Sequence, residues 1–408
     1  MPISFYTAQI PSLITWFNGF IGFREIQKRI ERVEMKLKDI GMSVPSLDRR
    51  YYFHSTYKRL AKRNRTFGRI DIGEPNTTRA ISLVAALKEF VTPLSHDERA
   101  RLRSRILESL DPDRDIRELE HEMRAFVHYK SAGYTVTPGD GNKMDRFDFL
   151  IRGNNREFEL ECKTFAESIG TPVSVEDSVY VFRAIRKAVL AEPSFRESGI
   201  LRLIFPARPL LSEQELEKIV AKFLLQAPTE QRDTRYSLRF ERRPEWDAWL
   251  KEGKHSDVVD NIANQFAEHN LHFMTMLSRN HAVMGVVGSE QRSHPVTSIF
   301  SRLKKASDQF SKQRPAVLWG NFLGIGESEF RGLLAETRLG HRSLDVFGHN
   351  LFKSSNRNHI VRLRLSADGL NVQATRSESV YVRNEIHTGG PAYDLTSRVS
   401  RYSAESTE

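Results

Sequence analysis

The sequence predicts a mixed α/β protein, with helices and strands concentrated in different parts of the chain. Helical periodicity runs through most of residues 1–115. Strict alternation of apolar and polar residues at 147–165 is typical of β-strands. With 408 residues, of which 39% are hydrophobic, the chain is long enough for two or three domains with buried cores.

The first 23 residues are rich in apolar side chains and contain no Lys, Arg, Asp or Glu. Leu13, Trp16, Phe17 and Phe20 are spaced to share one helical face, which favours a core or subunit contact. Polar residues and glycines interrupt the run, so we expect no membrane span. No basic segment precedes it, as a secretory signal would require. A membrane-associated sensor, with this segment lying at the lipid surface, is one alternative.

Further helices are expected up to residue 115. Apolar residues recur at alternating spacings of four and three residues, which is the pattern of about two heptads. They are Ile26, Ile30, Val33, Leu37 and Ile40. This repeat predicts a packed helix, or a contact between subunits of a homo-oligomer such as a dimer. Helical patterns at 78–90 and 96–110 follow, and Asp111-Pro112-Asp113 ends the second one. We therefore predict a helical N-terminal domain at residues 1–115.

The net charge of +10 is concentrated in one segment of this helical region. Residues 49–69 contain eight Lys or Arg and no Asp or Glu. Such groups neutralise phosphates, so the residues predicted to bind nucleic acid are Arg49, Arg50, Lys58, Arg59, Lys62, Arg63, Arg65 and Arg69. Interleaved aromatic residues either stack on unpaired bases or belong to the core: Tyr51, Tyr52, Phe53, Tyr57 and Phe67.

From residue 116 the pattern changes to a mixture of helix and strand. A helix with an apolar face at Ile116, Leu119, Met123 and Phe126 is expected to end at Gly133. The elements expected after it are strands at 134–137, 146–152 and 156–164, a helix near 176–191 and a strand near 199–205. Later elements are an insertion at 226–260, strands at 282–288 and 316–323, and a helix around 297–312.

These elements predict a second domain at residues 116–325, which includes the insertion. A C-terminal extension is expected at 326–408, ending in a disordered tail at 403–408.

The stretch FDFLIRGNNREFELECKTF, residues 147–165, predicts a β-hairpin. Asn154-Asn155 suits a two-residue turn, because asparagine tolerates positive φ angles. In the resulting register Asp148 opposes Glu161. One face is then entirely apolar, and a slip of one residue would bury the acidic side chains. Opposed carboxylates lie close enough to share one hard cation, and Lys163 points to the same face.

Asp148 on one strand and Glu161-Cys162-Lys163 on the next resemble the PD-(D/E)XK nuclease superfamily, which has the restriction-endonuclease-like fold. Phe147 stands where that motif usually has proline. The resemblance covers residues 116–205 and implies an αβββαβ core. It implies an endonuclease that uses Mg²⁺, or Mn²⁺ as a substitute, to hydrolyse DNA or, less often, RNA.

The resemblance also implies roles for individual residues. Asp148 and Glu161 would be metal ligands, together with the backbone carbonyl of Cys162. Lys163 would be a catalytic base or would position the attacking water. A further catalytic Glu is expected on the preceding helix, where Glu122 is the best match and Glu118 the second choice.

Other residues add binding features and alternatives. Arg183, Arg186 and Lys187 share one side of the helix after Lys163, where they could contact a nucleic-acid backbone near the metal. Lys304, Lys305 and Gln309 are candidates of the same kind.

The single cysteine excludes a disulfide framework and suits the cytoplasm. The large regions flanking the core favour prokaryotic antiviral defence or a mobile element, and a partner protein for activation. The alternative to an enzyme is a catalytically silent module that binds nucleic acid or serves assembly.

Overall fold

Helices make up the N-terminal part of the chain in a computed structural model of the protein. The structure describes residues 9–40, 45–65, 74–139, 147–153, 155–166, 168–192, 197–226, 229–253, 271–277, 281–291, 295–324, 330, 357, 359–367, 370–375 and 382–383. The helices are α1 (Ile10–Phe17), α2 (Phe23–Ile40), α3 (Pro45–Arg50), α4 (Tyr52–Arg65), α5 (Pro75–Val91), α6 (His96–Ser109), α7 (Ile116–Ser131), α8 (Val175–Ala191), α9 (Glu213–Gln226), α10 (Pro244–Lys251) and α11 (Pro295–Ser307).

The strands follow from residue 135 onwards. They are β1 (Thr135–Pro138), β2 (Phe149–Gly153), β3 (Arg156–Phe165), β4 (Gly199–Phe205), β5 (Glu230–Asp233), β6 (Tyr236–Arg242), β7 (Leu271–Leu277), β8 (Ala282–Ser289), β9 (Ala316–Phe322), β10 (Ile360–Ala367), β11 (Leu370–Thr375) and β12 (Val382–Arg383). The predicted mixed α/β class is confirmed.

The chain divides into two compact units. The first unit comprises Met1–Val33, Arg49–Glu167 and Val296–Glu408, and the second comprises Glu34–Asp48 and Ser168–Pro295. The boundary predicted at residue 115 falls inside the first unit, because α7 packs against both α5 and β3. One hydrophobic core therefore extends from Ile10 of α1 to Trp319 of β9.

The N-terminal apolar residues belong to this core. Ile10, Leu13, Ile14 and Phe17 are buried in α1, as the core alternative predicted. No helix of the described part of the chain is both long and apolar enough to cross a membrane. The heptad-like residues Ile26, Ile30 and Val33 of α2 are also buried.

Side-chain caps set where α6 and α7 begin. Ser95 Oγ accepts a hydrogen bond from the Glu98 N–H at 3.4 Å, and the Glu98 carboxylate accepts the Ser95 N–H at 2.8 Å. Asp115 caps α7 by accepting the Arg117 N–H at 3.0 Å. Gly133 follows α7 with φ of 85°, as expected for a residue that ends a helix in the left-handed conformation.

The first unit contains a seven-stranded sheet with the order β1-β2-β3-β9-β10-β11-β12. The hairpin register is confirmed, because Phe149 pairs with Leu160, Leu150 with Glu159 and Ile151 with Phe158. Asn155 has φ of 58°, as the turn requires, whereas Asn154 lies outside the described residues. β3 is parallel to β9, and β9 is parallel to β10.

The αβββαβ core that the family resemblance implies would include the strand near 199–205 in this sheet, which the structure contradicts. That strand is β4, which lies in the five-stranded sheet of the second unit, in the order β5-β6-β4-β8-β7. The parallel neighbour of β3 is β9, which directly follows α11. Parallel strands need a crossover connection, and this one contains residues 168–295 in addition to α11.

The described part of the predicted insertion, residues 229–253, belongs to the sheet and core of the second unit. β5 and β6 form a hairpin there, and β6 pairs with β4 over residues 237–242. Trp246 of α10 is 1% exposed and belongs to a core cluster with Ile200 and Met284.

The predicted C-terminal extension contributes β10 and β11 to the first sheet. Most residues of β10 are buried, as expected for an inner strand of a sheet. β10 therefore belongs to the body of the first unit. Residues 403–408 lie outside the described residues.

Candidate metal and nucleic-acid site

Three carboxylates of the first unit form one electrostatic group, called here the acid cluster: Glu122, Asp148 and Glu161. They come from α7, from the residue before β2, and from β3. Asp148 is not part of the regular ladder. Its N–H donates to the Leu160 carbonyl at 3.1 Å, and its Oδ2 accepts the Cys162 N–H at 2.8 Å. The carboxylate is therefore held against β3 by a backbone hydrogen bond, rather than by the direct pairing with Glu161 that was predicted.

Arg105 of α6 joins Glu122 and Asp148. Its Nη2 atom contacts Glu122 Oε1 and lies 3.8 Å from Asp148 Oδ1. The other oxygen of Glu122, Oε2, is buried and has no hydrogen-bond partner among the described residues. No motif marked Arg105 in the sequence, because its role depends on α6 lying beside α7.

Glu161 and Lys163 lie on β3 two residues apart. The Glu161 side chain is 1% exposed, and its Oε1 forms an ion pair with Lys163 Nζ. Its Oε2 is buried with no hydrogen-bond partner in the described part of the structure. The predicted association of Asp148, Glu161 and Lys163, with Glu122 as a fourth member, therefore agrees with the geometry.

Burial and mutual repulsion raise the pKa values of the acid cluster. Burial is the largest cause that raises the pKa of Glu161, and the negative charge of Asp148 is the second. Together they raise it to about 8, although Lys163 opposes them. The same two causes raise the pKa of Glu122 well above its usual range. Burial raises the pKa of Asp148, although Arg105 and the Cys162 N–H oppose it.

The pKa of Lys163 moves upwards. Burial alone would lower it, but the charges of Glu161, Asp148 and Glu122 outweigh that effect. The ammonium therefore keeps its proton at neutral pH. Burial also raises the pKa of the Cys162 thiol well above its usual range, so this cysteine stays protonated.

A cavity of about 380 Å³ lies next to the acid cluster. Its wall contains basic and polar side chains of α11 in addition to Glu122, Asp148 and Lys163. These side chains are Arg302, Lys305 and Gln309. Lys304, which was predicted together with Lys305, does not line the cavity. The second-choice residue Glu118 does line it, on the turn of α7 before Glu122.

The acid cluster fits a hard cation in one respect. Buried carboxylate oxygens without hydrogen-bond partners destabilise the folded state unless a cation or proton compensates them. Glu122 Oε2 and Glu161 Oε2 are such atoms. Oxygen ligands are also those that Mg²⁺ prefers. Within the described residues, however, no three His, Cys, Asp or Glu side chains are already arranged around one metal position.

The basic segment at 49–69 is partly described. Arg49, Lys58 and Lys62 are exposed on α3 and α4, and Arg50 and Arg63 are half-buried. Arg59 contacts Glu74 and donates to Thr77 Oγ1 at 3.1 Å. The side chain of Arg65, and Arg69 and Phe67 as whole residues, lie outside the described residues.

Of the two alternatives for the aromatic residues of this segment, base stacking or a place in the core, four residues take the second. Each is at most 2% exposed because it packs in the helical core: Tyr51, Tyr52, Phe53 and Tyr57. The core alternative is correct for these four residues, so any nucleic-acid surface here relies on charge.

The basic residues of α8 belong to the second unit. Arg183 and Lys187 pair with Glu213 of α9, at 3.0 and 2.7 Å. Arg186 is half-buried on the same helix. Their contact with nucleic acid stays a prediction. The basic residues that line the cavity together with Arg105 and Lys163 come from α11, and Arg302 among them was not singled out from the sequence.

A scan against protein-family models, and searches of curated proteins and of solved structures, found no significant match to this chain.

Proposed function

We propose that this protein is an endonuclease that hydrolyses phosphodiester bonds, with DNA as the substrate and Mg²⁺ as the cofactor. One observation carries the proposal: Glu122, Asp148 and Lys163 line a cavity with a basic wall, and Lys163 pairs with the buried carboxylate of Glu161. A buried acidic cluster suits a cation, and basic side chains beside it suit the phosphates of a polyanion.

Asp148 and Glu161 would hold the metal, with Glu122 and the Cys162 carbonyl as further ligands. A divalent cation there would acidify a bound water and neutralise charge on the phosphoryl group. Mn²⁺ would substitute because it accepts the same oxygen ligands. The Cys162 N–H holds Asp148 by its Oδ2, which leaves Oδ1 directed at Arg105.

Lys163 would act as a fixed positive charge. Its raised pKa keeps the ammonium protonated, so it cannot accept the proton of the attacking water. The ammonium can instead orient that water and stabilise negative charge that develops on the phosphate. Of the two roles implied by the family resemblance, water positioning is therefore the one we propose.

Arg302 and Lys305 would bind the phosphate backbone of the substrate. Both are exposed, lie on the turn of α11 that faces the cavity, and share the wall with Asp148 and Lys163. Hydrolysis forms a bond between water oxygen and phosphorus and breaks a phosphorus–oxygen ester bond. The products are a phosphate monoester and a hydroxyl group, so no further reactant is needed.

The test is cleavage of plasmid DNA, linear DNA and single-stranded RNA with and without Mg²⁺ or Mn²⁺. We expect DNA cleavage that EDTA abolishes and that falls by at least about 10²-fold in Asp148→Asn, Glu161→Gln and Lys163→Ala. Glu157→Gln is the matched control, because Glu157 lies on β3 but pairs with Arg152 at 2.6 Å and lies outside the cavity. This control should cleave at the wild-type rate.

Undiminished cleavage in all three site variants would show that the site is misassigned. Tight DNA binding without cleavage by the wild type would favour the alternative, a binding or assembly module with this architecture. That outcome requires a repeat in cell extract, so that an activating partner is present.

A further inference from the structure

Arg105 is a charged member of the site that the proposed hydrolysis does not use. Its Nη2 atom contacts Glu122 Oε1 and lies 3.8 Å from Asp148 Oδ1. A single nitrogen therefore faces carboxylate oxygens from two different elements, α7 and the start of β2. The point that it occupies is where these two oxygens converge.

A divalent cation binds the acid cluster only when its carboxylates are ionised. In that state the three carboxylates carry one more negative charge than Arg105 and Lys163 neutralise. A divalent cation added to this set would leave a net positive charge in a buried place. If Arg105 withdrew, the same addition would leave the set neutral. Buried groups of unbalanced charge are costly, so exchange is favoured over addition.

The exposures of the side chains show which partner can move. The Arg105 side chain is 49% exposed, whereas those of Glu122 and Asp148 are 8% and 16% exposed. The guanidinium can rotate into water on the surface of α6. The carboxylates are held by the packing of α7 and by the hydrogen bond from Cys162.

We propose that Arg105 is an exchangeable counter-ion of the acid cluster. It neutralises Glu122 and Asp148 before a divalent cation binds, and it leaves them when that cation binds. The idea rests on the proposed function, because it concerns the same site. Arg105 is thus a positioning residue that sets metal affinity, and the intrinsic affinity of the carboxylates is higher than the wild-type protein displays.

The experiment measures Mn²⁺ binding to the full chain by calorimetry at pH 8, without nucleic acid. Arg105→Gln should bind Mn²⁺ about tenfold more tightly than the wild type, because a competing cation is lost. Arg105→Lys should be intermediate, because it keeps the competing positive charge but its ammonium ends a shorter side chain. Arg101→Gln is the matched control, since Arg101 lies one turn earlier on α6, is exposed, and does not line the cavity. Its affinity should equal that of the wild type.

The outcomes separate this inference from the proposed function. One outcome is that Mn²⁺ binds the wild type and loses affinity in Glu161→Gln, but binds Arg105→Gln no more tightly than the wild type. The counter-ion idea is then wrong and the proposed metal site stands. If Mn²⁺ binds neither protein, both ideas are wrong. Thermal melting shows whether Arg105→Gln is folded. If it is not, Arg105→Lys decides, and an affinity no higher than that of the wild type overturns the inference.

Discussion

Two buried glutamates on α7 have opposite surroundings although only one residue separates them. Glu120 accepts hydrogen bonds from Tyr52 at 2.9 Å, from Arg79 at 2.7 Å and from Arg124 at 2.8 Å. Burial raises its pKa, but Arg124, Arg79 and Tyr52 together lower the pKa below its usual value. Glu122 has one arginine contact and one buried oxygen without a hydrogen bond among the described residues.

The same contrast occurs on β3. Glu159 is fully buried and accepts the Ser311 N–H at 2.8 Å and a hydrogen bond from Arg314 Nη1 at 3.3 Å. Glu161 forms an ion pair with Lys163 only through Oε1, and its Oε2 has no hydrogen-bond partner in the described part of the chain. Buried carboxylates with full partners stabilise the fold, whereas incompletely paired ones beside a cavity are typical of sites that bind something.

The largest expected effect on stability separates these two kinds of glutamate. Glu120→Gln and Glu159→Gln should each lower the free energy of unfolding by about 2–4 kcal/mol, because each leaves an arginine and other hydrogen-bond donors without their carboxylate. Glu122→Gln and Glu161→Gln should change it by less than about 1 kcal/mol, or raise it. Urea denaturation of the four variants measures the difference. Equal destabilisation in all four would break the comparison.

The next effect is on pH dependence. The pKa of Glu161 is raised to about 8 in the folded state from a usual value near 4.5, so the unfolded state loses its proton first as pH rises. This term therefore stabilises the protein fully below pH 4.5 and is lost as pH rises towards 8. Glu161→Gln lacks the term, so its stability relative to the wild type should increase across that window.

Urea denaturation of both proteins at pH 5, 6, 7 and 8 measures this prediction. Saturating Mg²⁺ should reduce the difference at pH 8, because a bound cation favours the ionised Glu161. Parallel stability curves for the two proteins would contradict the raised pKa.

The smallest effect concerns the basic wall of the cavity. Arg302→Gln and Lys305→Gln should each weaken DNA binding and reduce the slope of log affinity against log salt by about 1. Lys304→Gln is the control, since Lys304 is exposed on α11 but does not line the cavity. Fluorescence anisotropy over a range of salt concentrations measures the slopes. If all three variants lose the same slope, the charge of α11 acts without regard to the cavity.

Short-range pattern was enough to predict the hairpin and its register. The alternation at 147–165 has a period of two, and only one register buries its apolar face, so residue order alone associates Asp148, Glu161 and Lys163. Glu122 was expected through the family resemblance, which implies a further glutamate on the preceding helix, and its place at the edge of an apolar helical face selected it. The direct pairing of Asp148 with Glu161 was also predicted, but it does not occur in the ladder, because Asp148 leaves the ladder and accepts the Cys162 N–H.

Tertiary structure alone decided which parts of the chain complete the site. β9 joins β3 after a connection of about 150 residues that includes the second unit, and no local pattern specifies such a partner. Arg105 and Arg302 reach the cavity from helices far from β3 in sequence, so their roles depend on packing between helices and sheet. Residue type and periodicity determine local conformation and which face is buried. Whether a buried carboxylate has partners depends on groups that only the folded chain brings together.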